Sequence, residues 1–477
     1  MRESEQASAR PLVVDIDGTL LQTDLLLEST LELLKRRPWL AVALPLWLLR
    51  GKANLKRQVA ARTELDVSTL PLNRTLISWL KAERERGRAI HLASASDHSL
   101  VAPLVAHLPF ISAGFASDGQ VNNAAGNKRD RLIETFGEKG FDYVGNDWPD
   151  LPVWQAAGQA HAFNASPRLA KKLENSHPKV TVHNIKASSL PALLEAIRPR
   201  QWLKNLLVFV PLVTAHATDP LLWVAGVLAF ISLCLSASGV YVLNDLLDLP
   251  HDREHPRKHL RPFASGRLSL LAGIFVSPLL MGAGLALAVL VGSGFLLLLL
   301  AYLLLTTLYS LVLKRLVLVD IFTLAGLYTL RIVAGGLAAG IVVSEWLLAF
   351  SIFTFLALAV VKRNAELQGA VADERETASG RGYRVGDLPM LRALGAGAAF
   401  SAVVILTLYL NSEAVVSLYS RPELLWGICA LVLFWFCHML MTTQRGDMHD
   451  DPVVFAVRDR VSLIVAVLAA LMFLAAI

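Results

Sequence analysis

Apolar and polar residues are distributed unevenly along the chain. The first 190 residues alternate short apolar runs with charged sequence of helical periodicity, whereas the remainder contains long apolar runs that carry little charge. Short apolar strands that alternate with helices are typical of a doubly wound α/β sheet, and we predict such a sheet in residues 1–190. Its strands are expected near residues 12–15, 89–93, 110–116, 143–145, 160–164 and 180–182.

After an amphipathic connector at 188–200, apolar segments follow one another to the end of the sequence. We predict that residues 191–477 form an all-α membrane bundle of about nine transmembrane helices, although several segments are shorter than the roughly 20 residues of a straight span. The nine segments are 202–217, 221–243, 270–292, 295–313, 319–339, 346–361, 391–410, 424–442 and 461–477.

Basic residues predict the orientation of this bundle. Lys and Arg collect in the loops after the second, fourth, sixth and eighth segments. The opposite loops are nearly free of Lys and Arg, and Arg421 is the exception. Because cytoplasmic loops carry an excess of basic residues, we expect a multi-pass protein of the inner (cytoplasmic) membrane. The N-terminal domain should then be cytoplasmic, and the C-terminus should lie outside.

Composition agrees with a chain in two parts. With 54% hydrophobic residues, a mean hydropathy of +0.50 and 18% charged residues, the chain is too apolar to be wholly soluble and too charged to be wholly embedded. The net charge of +6 suits anionic lipid and phosphorylated substrates. Nucleic acid is not expected as a partner, because the sequence has no basic stripe with interleaved aromatic residues. The three cysteines fall in apolar segments, so we expect reduced thiols, and the apolar run 11–16 is too short for a cleaved signal peptide.

Four oxygen-bearing side chains end the second apolar segment, in the run Tyr241-Val-Leu-Asn-Asp-Leu-Leu-Asp-Leu-Pro-His-Asp252. On a helix, Asn244, Asp248 and Asp252 share one face and Asp245 lies one step around it. Carboxylate and amide oxygens suit Mg²⁺, which is commonly shared between one or two carboxylates and the phosphates of a substrate. A charged helix end that meets water is the alternative, and it explains the shared face poorly.

A basic loop follows at 255–266 and carries Arg257, Lys258 and Arg261. The combined pattern Asn-Asp-x-x-Asp-x-x-x-Asp and Arg-Pro-x-x-x-Gly resembles the first Asp-rich motif of the UbiA-type intramembrane prenyltransferases. The run Arg198-Pro-Arg-Gln-Trp-Leu-Lys-Asn205 resembles their polyprenyl-phosphate phosphoribosyltransferase branch. The resemblance implies transfer of 5-phosphoribose from 5-phosphoribosyl diphosphate to a polyprenyl phosphate. Asp245 and Asp248 would be catalytic, with Mg²⁺ held by Asn244, Asp245, Asp248 and Asp252.

The second motif of the family is altered here. UbiA-type enzymes that act on isoprenyl diphosphates carry a second Asp-x-x-x-Asp, whereas this chain has Lys362-Arg363-Asn364-Ala365-Glu366. Two cations and one acid suit a phosphate monoester held beside a magnesium diphosphate. The alternatives are that Lys362 and Arg363 snorkel at a helix end, and that the enzyme transfers a prenyl group from a polyprenyl diphosphate to an aromatic acceptor such as 4-hydroxybenzoate. The expected substrate-binding residues are Lys204, Arg261, Lys314, Lys362, Arg363 and Glu366.

The N-terminal domain contains a second set of motifs. Asp15-Ile-Asp-Gly-Thr19 follows the first predicted strand and resembles motif I of the haloacid dehalogenase superfamily, with Asp15 as nucleophile and Asp17 as general acid/base. Ser94 and Lys128 stand where that family has its phosphate-binding residues. The run 141–150 resembles the fourth motif, with Asn146 in place of the first acid, and the resemblance implies that Asp15, Asn146 and Asp150 hold Mg²⁺.

Two interpretations of this domain follow. It is either a phosphatase that removes the 5-phosphate of the transfer product, or a catalytically weak regulatory or membrane-docking module, because an amide oxygen is a weaker Mg²⁺ ligand than a carboxylate. Residues 24–87 take the position of a helical cap. Within the cap, residues 38–49 are apolar and are flanked by Arg36, Arg37, Arg50 and Lys52, so they form either an interfacial helix or the buried core of the cap.

Overall fold

The computed structural model describes residues 10–117, 123–185, 187–255, 257–372, 376–377, 381–412, 415, 419–448 and 451–477. Its chain divides into two compact units. The first combines Met1–Ile197 with Tyr241–Val276, and the second combines Arg198–Val240 with Ser277–Ile477. The segment with the four oxygen ligands therefore belongs to the compact unit of the N-terminal domain, although it is continuous with an apolar helix. The domain boundary at residue 190 stays a prediction.

A six-stranded parallel sheet forms the centre of the first unit, with strand order β3-β2-β1-β4-β5-β6. The predicted doubly wound sheet is confirmed, because the order reverses at the central strand β1. Leu12 and Val14 pack into one apolar core and Val13 into the other, as the two-residue period of a strand requires. The strands are β1 (Leu12–Asp15), β2 (Ile90–Asp97), β3 (Ala113–Ser117), β4 (Asp142–Gly145), β5 (Ala160–Ala162) and β6 (Val180–Val182).

Helices cover both faces of this sheet. One core contains leucines of α4 and α5, and the other contains leucines of α6 and α8. The predicted cap position is helical and consists of α1 to α4, with additional 3₁₀ turns at Pro38–Val42 and Val67–Thr69. The helices of this unit up to the connector are α1 (Leu25–Arg36), α2 (Ala43–Leu49), α3 (Lys52–Ala60), α4 (Arg74–Glu85), α5 (His98–His107), α6 (Ala125–Phe136), α7 (Leu151–Ala156), α8 (Pro167–Ser176) and α9 (Leu190–Ala196).

The second unit is helical. It contains a long 3₁₀ segment, Pro199–Phe209, and then α10 (Val210–Thr214) and α11 (Pro220–Leu247), the last of which continues into the first unit. In the first unit α11 is followed by α12 (Leu249–Glu254), and the start of α13 also lies there. The remaining helices are α13 (Leu270–Val291), α14 (Ser293–Leu311), α15 (Val319–Ala339), α16 (Glu345–Ala372), α17 (Leu388–Leu410), α18 (Leu425–Gln444), α19 (Pro452–Ala456) and α20 (Arg460–Ala476).

The expected count of nine spans is not confirmed. Within the described residues, seven helices are long and apolar enough to cross a membrane, and the last predicted segment forms the shorter α20. The first predicted segment, 202–217, is the 3₁₀ stretch followed by α10. A 3₁₀-helix rises about 2.0 Å per residue, so these two elements laid end to end reach roughly 30 Å, the thickness of a hydrocarbon core. The side of the membrane on which each loop lies stays a prediction.

Candidate functional site

The carboxyl end of β1 carries the two acids of the first motif. Asp17 is held by three donors, since its Oδ1 accepts from the Leu25 backbone N–H at 2.8 Å and its Oδ2 accepts from the Ser94 and Ser96 hydroxyls at 3.1 and 3.2 Å. Both serines end β2, the parallel neighbour of β1, so strand pairing brings them to this edge. The predicted Ser94 is therefore in the site, and Ser96 is a partner that the motif comparison missed.

Lys128 connects the first motif with the fourth. Its ammonium group donates to Asp15 Oδ1 at 2.6 Å and to the Tyr143 hydroxyl at 3.0 Å, and it lies 3.6 Å from Asp150 Oδ1. The Tyr143 hydroxyl in turn donates to Asp150 Oδ1 at 2.7 Å. Four residues from β1, α6, β4 and the turn after β4 thus form one buried network. The structure brings Asp15, Lys128 and Asp150 together, as the family pattern predicts.

Asn146 also faces this site. The Thr19 hydroxyl lies 3.1 Å from Asn146 Oδ1 and 3.3 Å from Asp15 Oδ2, so the two oxygens share one donor. Both are hard oxygen atoms of the kind that Mg²⁺ prefers, and they fit such an ion in chemistry. Asp150 Oδ2 accepts from the backbone N–H groups of Asn146 and Asp147, which fixes the turn that presents Asn146. The ligand role of Asp150 stays a prediction.

Burial controls the protonation of this network. Burial raises the pKa of the Asp15 carboxyl to about 8, although the charge of Lys128 lowers it. Burial lowers the pKa of the Lys128 ammonium, but the charges of Asp15 and Asp150 outweigh that effect and leave it raised. Lys128 is therefore cationic at neutral pH and suited to an anionic substrate. A divalent cation next to Asp15 would favour the ionised carboxylate that a nucleophile needs.

The segment after α11 gathers part of the Asp-rich motif. Arg261 Nη1 lies 3.2 Å from Asp245 Oδ1 and 2.6 Å from Asp252 Oδ2, so two of the four predicted ligands converge on one point. The expected single helix is interrupted at Asp248, which separates α11 from α12, because Pro250 cannot continue the amide ladder. The hydrogen bonds from Asp248 N to Asn244 O and from Asp252 N to Asp248 O nevertheless keep the four-residue spacing.

These residues suit a metal that is shared with a substrate. Across the part of the chain that the structure describes, no group of three or more His, Cys, Asp or Glu side chains could by itself hold a metal ion. Mg²⁺ bound through one or two carboxylates and a substrate diphosphate needs no such group. Asp245 and Asp252 are both buried, and each offers carboxylate oxygens as metal ligands, so they fit this mode of binding.

The same segment is anchored to helix α1 of the first unit. Arg253, next to Asp252, forms a bidentate pair with Glu28, with Nη2 to Oε1 at 2.5 Å and Nη1 to Oε2 at 3.2 Å. Glu28 also accepts from the Thr23 hydroxyl at 2.6 Å. Gly266 has a φ of +73°, and a Cβ atom there would meet the Gln22 backbone oxygen at 2.4 Å. The loop after motif I and the loop after the Asp-rich motif are therefore in direct contact.

In the second unit, two predicted lysines converge on one carboxylate. Lys204 and Lys362 donate to Asp451 Oδ2 at 2.7 and 2.9 Å. Burial alone would raise the pKa of the Asp451 carboxyl, but the charges of Lys362 and Lys204 hold it well below its usual range. The ammonium groups of Lys204 and Lys362 thus lie side by side, although their positions in the sequence are far apart.

Arg363 belongs to a second cluster in this unit. It is almost fully buried and pairs with both Asp320 and Glu366, so it does not snorkel to a helix end. Asp320 Oδ1 also accepts from Arg381 at 2.9 Å and from the Tyr309 hydroxyl at 2.7 Å. The structure therefore joins the predicted Arg363 and Glu366. Lys314 lies in the 3₁₀ turn Leu313–Arg315 and is half-buried.

Four charged residues of the second unit that make buried or partly buried contacts were not predicted as site residues: Asp320, Arg381, Asp451 and Arg331. Asp320 lies in the first turn of α15 and Asp451 directly precedes α19, and an acid beside an apolar segment is the signal that could have identified both. Arg331 lies inside α15, where its guanidinium donates to Asn205 Oδ1 at 2.8 Å, to the Tyr302 hydroxyl at 2.9 Å and to the Leu327 carbonyl. Its acceptors are neutral, and its place in an apolar helix was the available signal.

Comparison with known proteins relates this chain to one family of membrane enzymes. The UbiA prenyltransferase family matches residues 206–457. The uncharacterized protein y4nM of Sinorhizobium fredii is 33% identical over 98% of this chain and 91% of its own length. Decaprenyl-phosphate phosphoribosyltransferase of Mycolicibacterium smegmatis is 35% identical over 37% of this chain and 57% of its own. A solved structure of a UbiA homologue from Archaeoglobus fulgidus bound to GPP and Mg²⁺ is 16% identical, covers 59% of this chain and 96% of its own, and has a TM-score of 0.46.

Proposed function

The chain belongs to the UbiA prenyltransferase family, and we propose that it transfers 5-phosphoribose from 5-phosphoribosyl diphosphate to a polyprenyl phosphate in the membrane. The N-terminal domain, residues 1–190 with its cap at 24–87, would then remove the 5-phosphate, and residues 191–477 would carry out the transfer. We place both reactions on the cytoplasmic side of the inner membrane, as the distribution of basic loops predicts.

One observation carries the transfer proposal. Where family members that use isoprenyl diphosphates have a second pair of acids, this chain has Lys362, in a partly buried cluster of charges, and Arg363, in a buried one. Lys362 lies beside Lys204, and the ammonium groups of both residues donate to Asp451 Oδ2. Two cations suit a phosphate monoester: the lipid acceptor is one, and the donor carries one at ribose C5 in addition to its diphosphate. The relative named as a phosphoribosyltransferase supports the same choice of donor.

In the proposed transfer, the bond between ribose C1 and the diphosphate oxygen breaks, and a bond forms between C1 and an oxygen of the lipid phosphate. The lipid phosphate is already anionic, so no base is required. Mg²⁺ held by Asn244, Asp245, Asp248 and Asp252 would neutralise the charge of the departing diphosphate. Arg261 holds Asp245 and Asp252 in place. Lys204, Lys314, Lys362 and Arg363 would orient the phosphates, with Glu366 fixing Arg363.

In the proposed hydrolysis, Asp15 Oδ2 attacks the phosphorus of the 5-phosphate, and Asp17 gives its proton to the leaving ribose oxygen. Water then cleaves the phosphoaspartate and releases phosphate. Lys128 holds the Asp15 carboxylate and neutralises the substrate, while Ser94 orients Asp17. A Mg²⁺ ion held by Asp15 and Asn146, with Asp150 fixing the turn, would add charge neutralisation.

The transfer can be tested with the purified full-length protein, Mg²⁺, a polyprenyl phosphate and 5-phosphoribosyl diphosphate labelled in the ribose. We expect label to enter the organic phase, and we expect Asp245→Ala to abolish it. The control is Arg257→Ala, a change in the same loop outside the proposed site. If no label enters the lipid but a polyprenyl diphosphate prenylates an aromatic acid, the protein is a prenyltransferase of the other kind.

The hydrolysis is tested by the phosphate content of the same product. With the unmodified chain we expect lipid-linked ribose without a 5-phosphate, and with Asp15→Asn we expect the 5-phosphate to remain. If the 5-phosphate remains in both cases and the unmodified chain releases no phosphate from p-nitrophenyl phosphate, the N-terminal domain is not a phosphatase. The transfer proposal would be unaffected by that result.

A further inference from the structure

The segment Pro38–Leu49 of the cap presents an exposed apolar surface. It forms the 3₁₀ turn Pro38–Val42 and helix α2, and none of its residues is buried. Four large side chains are more than half exposed: Trp39 at 69%, Val42 at 77%, Leu46 at 60% and Leu49 at 84%. The alternative of a buried cap core is therefore wrong. An apolar run of this kind on a charged domain marks a contact surface.

The segment is held firmly enough to present this surface. The Asn54 side chain donates to the Trp47 backbone oxygen at 3.1 Å, and the Arg62 guanidinium lies 5.1 Å from the centre of the Trp47 ring. The first contact ties α2 to α3, and the second ties it to the loop that follows α3. Trp47 therefore faces the protein, whereas Trp39, Leu46 and Leu49 face away from it.

Cations border the apolar surface on both sides. Arg36 and Arg37 precede it, Arg50 and Lys52 follow it, and all four are exposed. An apolar centre bordered by cations matches a bilayer surface, where acyl chains lie beneath anionic headgroups. No acid lies between Arg36 and Lys52, so the border carries charge of one sign, as an anionic lipid surface requires. The described residues also include seven helices of membrane-spanning length, so the cap is tethered to a membrane in any case.

We propose that Pro38–Leu49 is a membrane-interface anchor, with Trp39, Val42, Leu46 and Leu49 inserted among lipid chains and the flanking cations on anionic headgroups. Helix α3, which follows the anchor, contacts the strand that carries Ser94 and Ser96. Lys56, on the next helix α3, donates from Nζ to the Ala95 backbone oxygen at 2.7 Å, between Ser94 and Ser96. A phosphate group on a lipid would thus meet the Asp15 site near the bilayer surface. Contact with lipid does not depend on which reaction the enzyme catalyses.

The anchor is tested with an environment-sensitive fluorophore on the full chain in nanodiscs that hold one copy each. Leu46→Cys is labelled in a chain whose own cysteines are replaced by alanine, and Glu174→Cys on the exposed face of α8 is the matched control. We expect blue-shifted emission at position 46 and several-fold stronger quenching by phospholipids with a shallow nitroxide than at position 174. Equal quenching at the two positions would overturn the proposal.

A second measurement separates lipid from other occupants. Substituting Val42→Asp and Leu49→Asp in the labelled chain should remove the blue shift and the quenching, while circular dichroism of the chain stays unchanged. If the blue shift appears only when two copies share a nanodisc and no quenching accompanies it, the surface binds a second copy and the lipid anchor is refuted. A blue shift and quenching at position 46 that stay unchanged when anionic lipid is omitted from the nanodisc would refute the role of the flanking cations.

Discussion

Replacing Glu28 with glutamine is expected to loosen the contact between helix α1 and the Asp-rich segment. The Glu28 and Arg253 side chains are only 5% and 6% exposed, and two N–O contacts join them. Removing one partner of a buried pair leaves the other charge without compensation, which costs about 3–5 kcal/mol. Water screens this pair little, so the full range applies.

The exposed pair Arg267–Glu195 is a matched control in the same unit. It too is bidentate, with distances of 2.8 and 3.0 Å, but its side chains are 48% and 50% exposed. Exposed pairs of this kind contribute roughly 0–1 kcal/mol because water and salt screen them. Glu195→Gln should therefore have little effect, although it removes the same charge from a bidentate pair with arginine as Glu28→Gln does.

Hydrogen exchange followed by mass spectrometry on the full chain measures the difference. A loss of about 3 kcal/mol corresponds to roughly 100-fold faster exchange by local opening in peptides that cover α1. Peptides from α8 should not change, and Glu195→Gln should change exchange by only a few-fold. The double variant Glu28→Gln and Arg253→Met should lose less than the sum of the single variants. Exchange in α1 that is the same for Glu28→Gln and Glu195→Gln would refute the reasoning.

Three further outcomes are expected. Burial lowers the pKa of His161 to about 3. Below pH 6.5 the imidazole of the unfolded chain therefore binds a proton that the folded chain does not, and the free energy of unfolding should fall by about 1.4 kcal/mol per pH unit between pH 6.5 and pH 3. His161→Phe should abolish this loss, which is measured by urea unfolding of the full chain at several pH values. Asn146→Asp should lower the Mg²⁺ concentration for half-maximal release of phosphate from p-nitrophenyl phosphate, and an unchanged or higher value would contradict the ligand role of residue 146. Lys204→Met should reduce phosphoribosyl transfer by about 10- to 100-fold through the loss of charged hydrogen bonds, whereas the exposed Arg315→Met should leave it nearly unchanged.

Local sequence patterns predicted the first unit well. All six strands lie within a few residues of their predicted places, and β1 at Leu12–Asp15 and β6 at Val180–Val182 were predicted to the residue. The reason is physical, because a buried strand needs a short apolar run and a Gly, Asn or Asp turn after it. The edge positions of Asp15, Ser94 and Lys128 followed from the family motifs, and the parallel register of β1 and β2 accounts for the first two.

The charged clusters of the second unit could not be predicted in the same way. Lys204 and Asp451 are 247 residues apart, and Asp320 and Arg363 are 43 apart. Hydrophobic periodicity locates helices but carries no information about which helix ends meet. For the same reason a cation at the end of a segment looks like a snorkelling residue until its acid is known. The 3₁₀ form of Pro199–Phe209 was also hidden, since it has the composition of an ordinary short helix.

The packing of α1 on the Asp-rich segment, like the contact between Gln22 and Gly266, joins parts of the chain that are synthesised at different times. Leu27 and Leu31 of α1 pack on Val242 and Leu246 of the Asp-rich segment and its helix. A ribosome that adds about 5–20 residues per second reaches that segment roughly 10–45 s after it has made α1. During this interval the sheet can fold, but one face of α1 has no partner. The first unit is therefore completed only after its membrane helix has been synthesised, and a chain truncated before residue 241 would expose an apolar face to the chaperones and proteases of the cell.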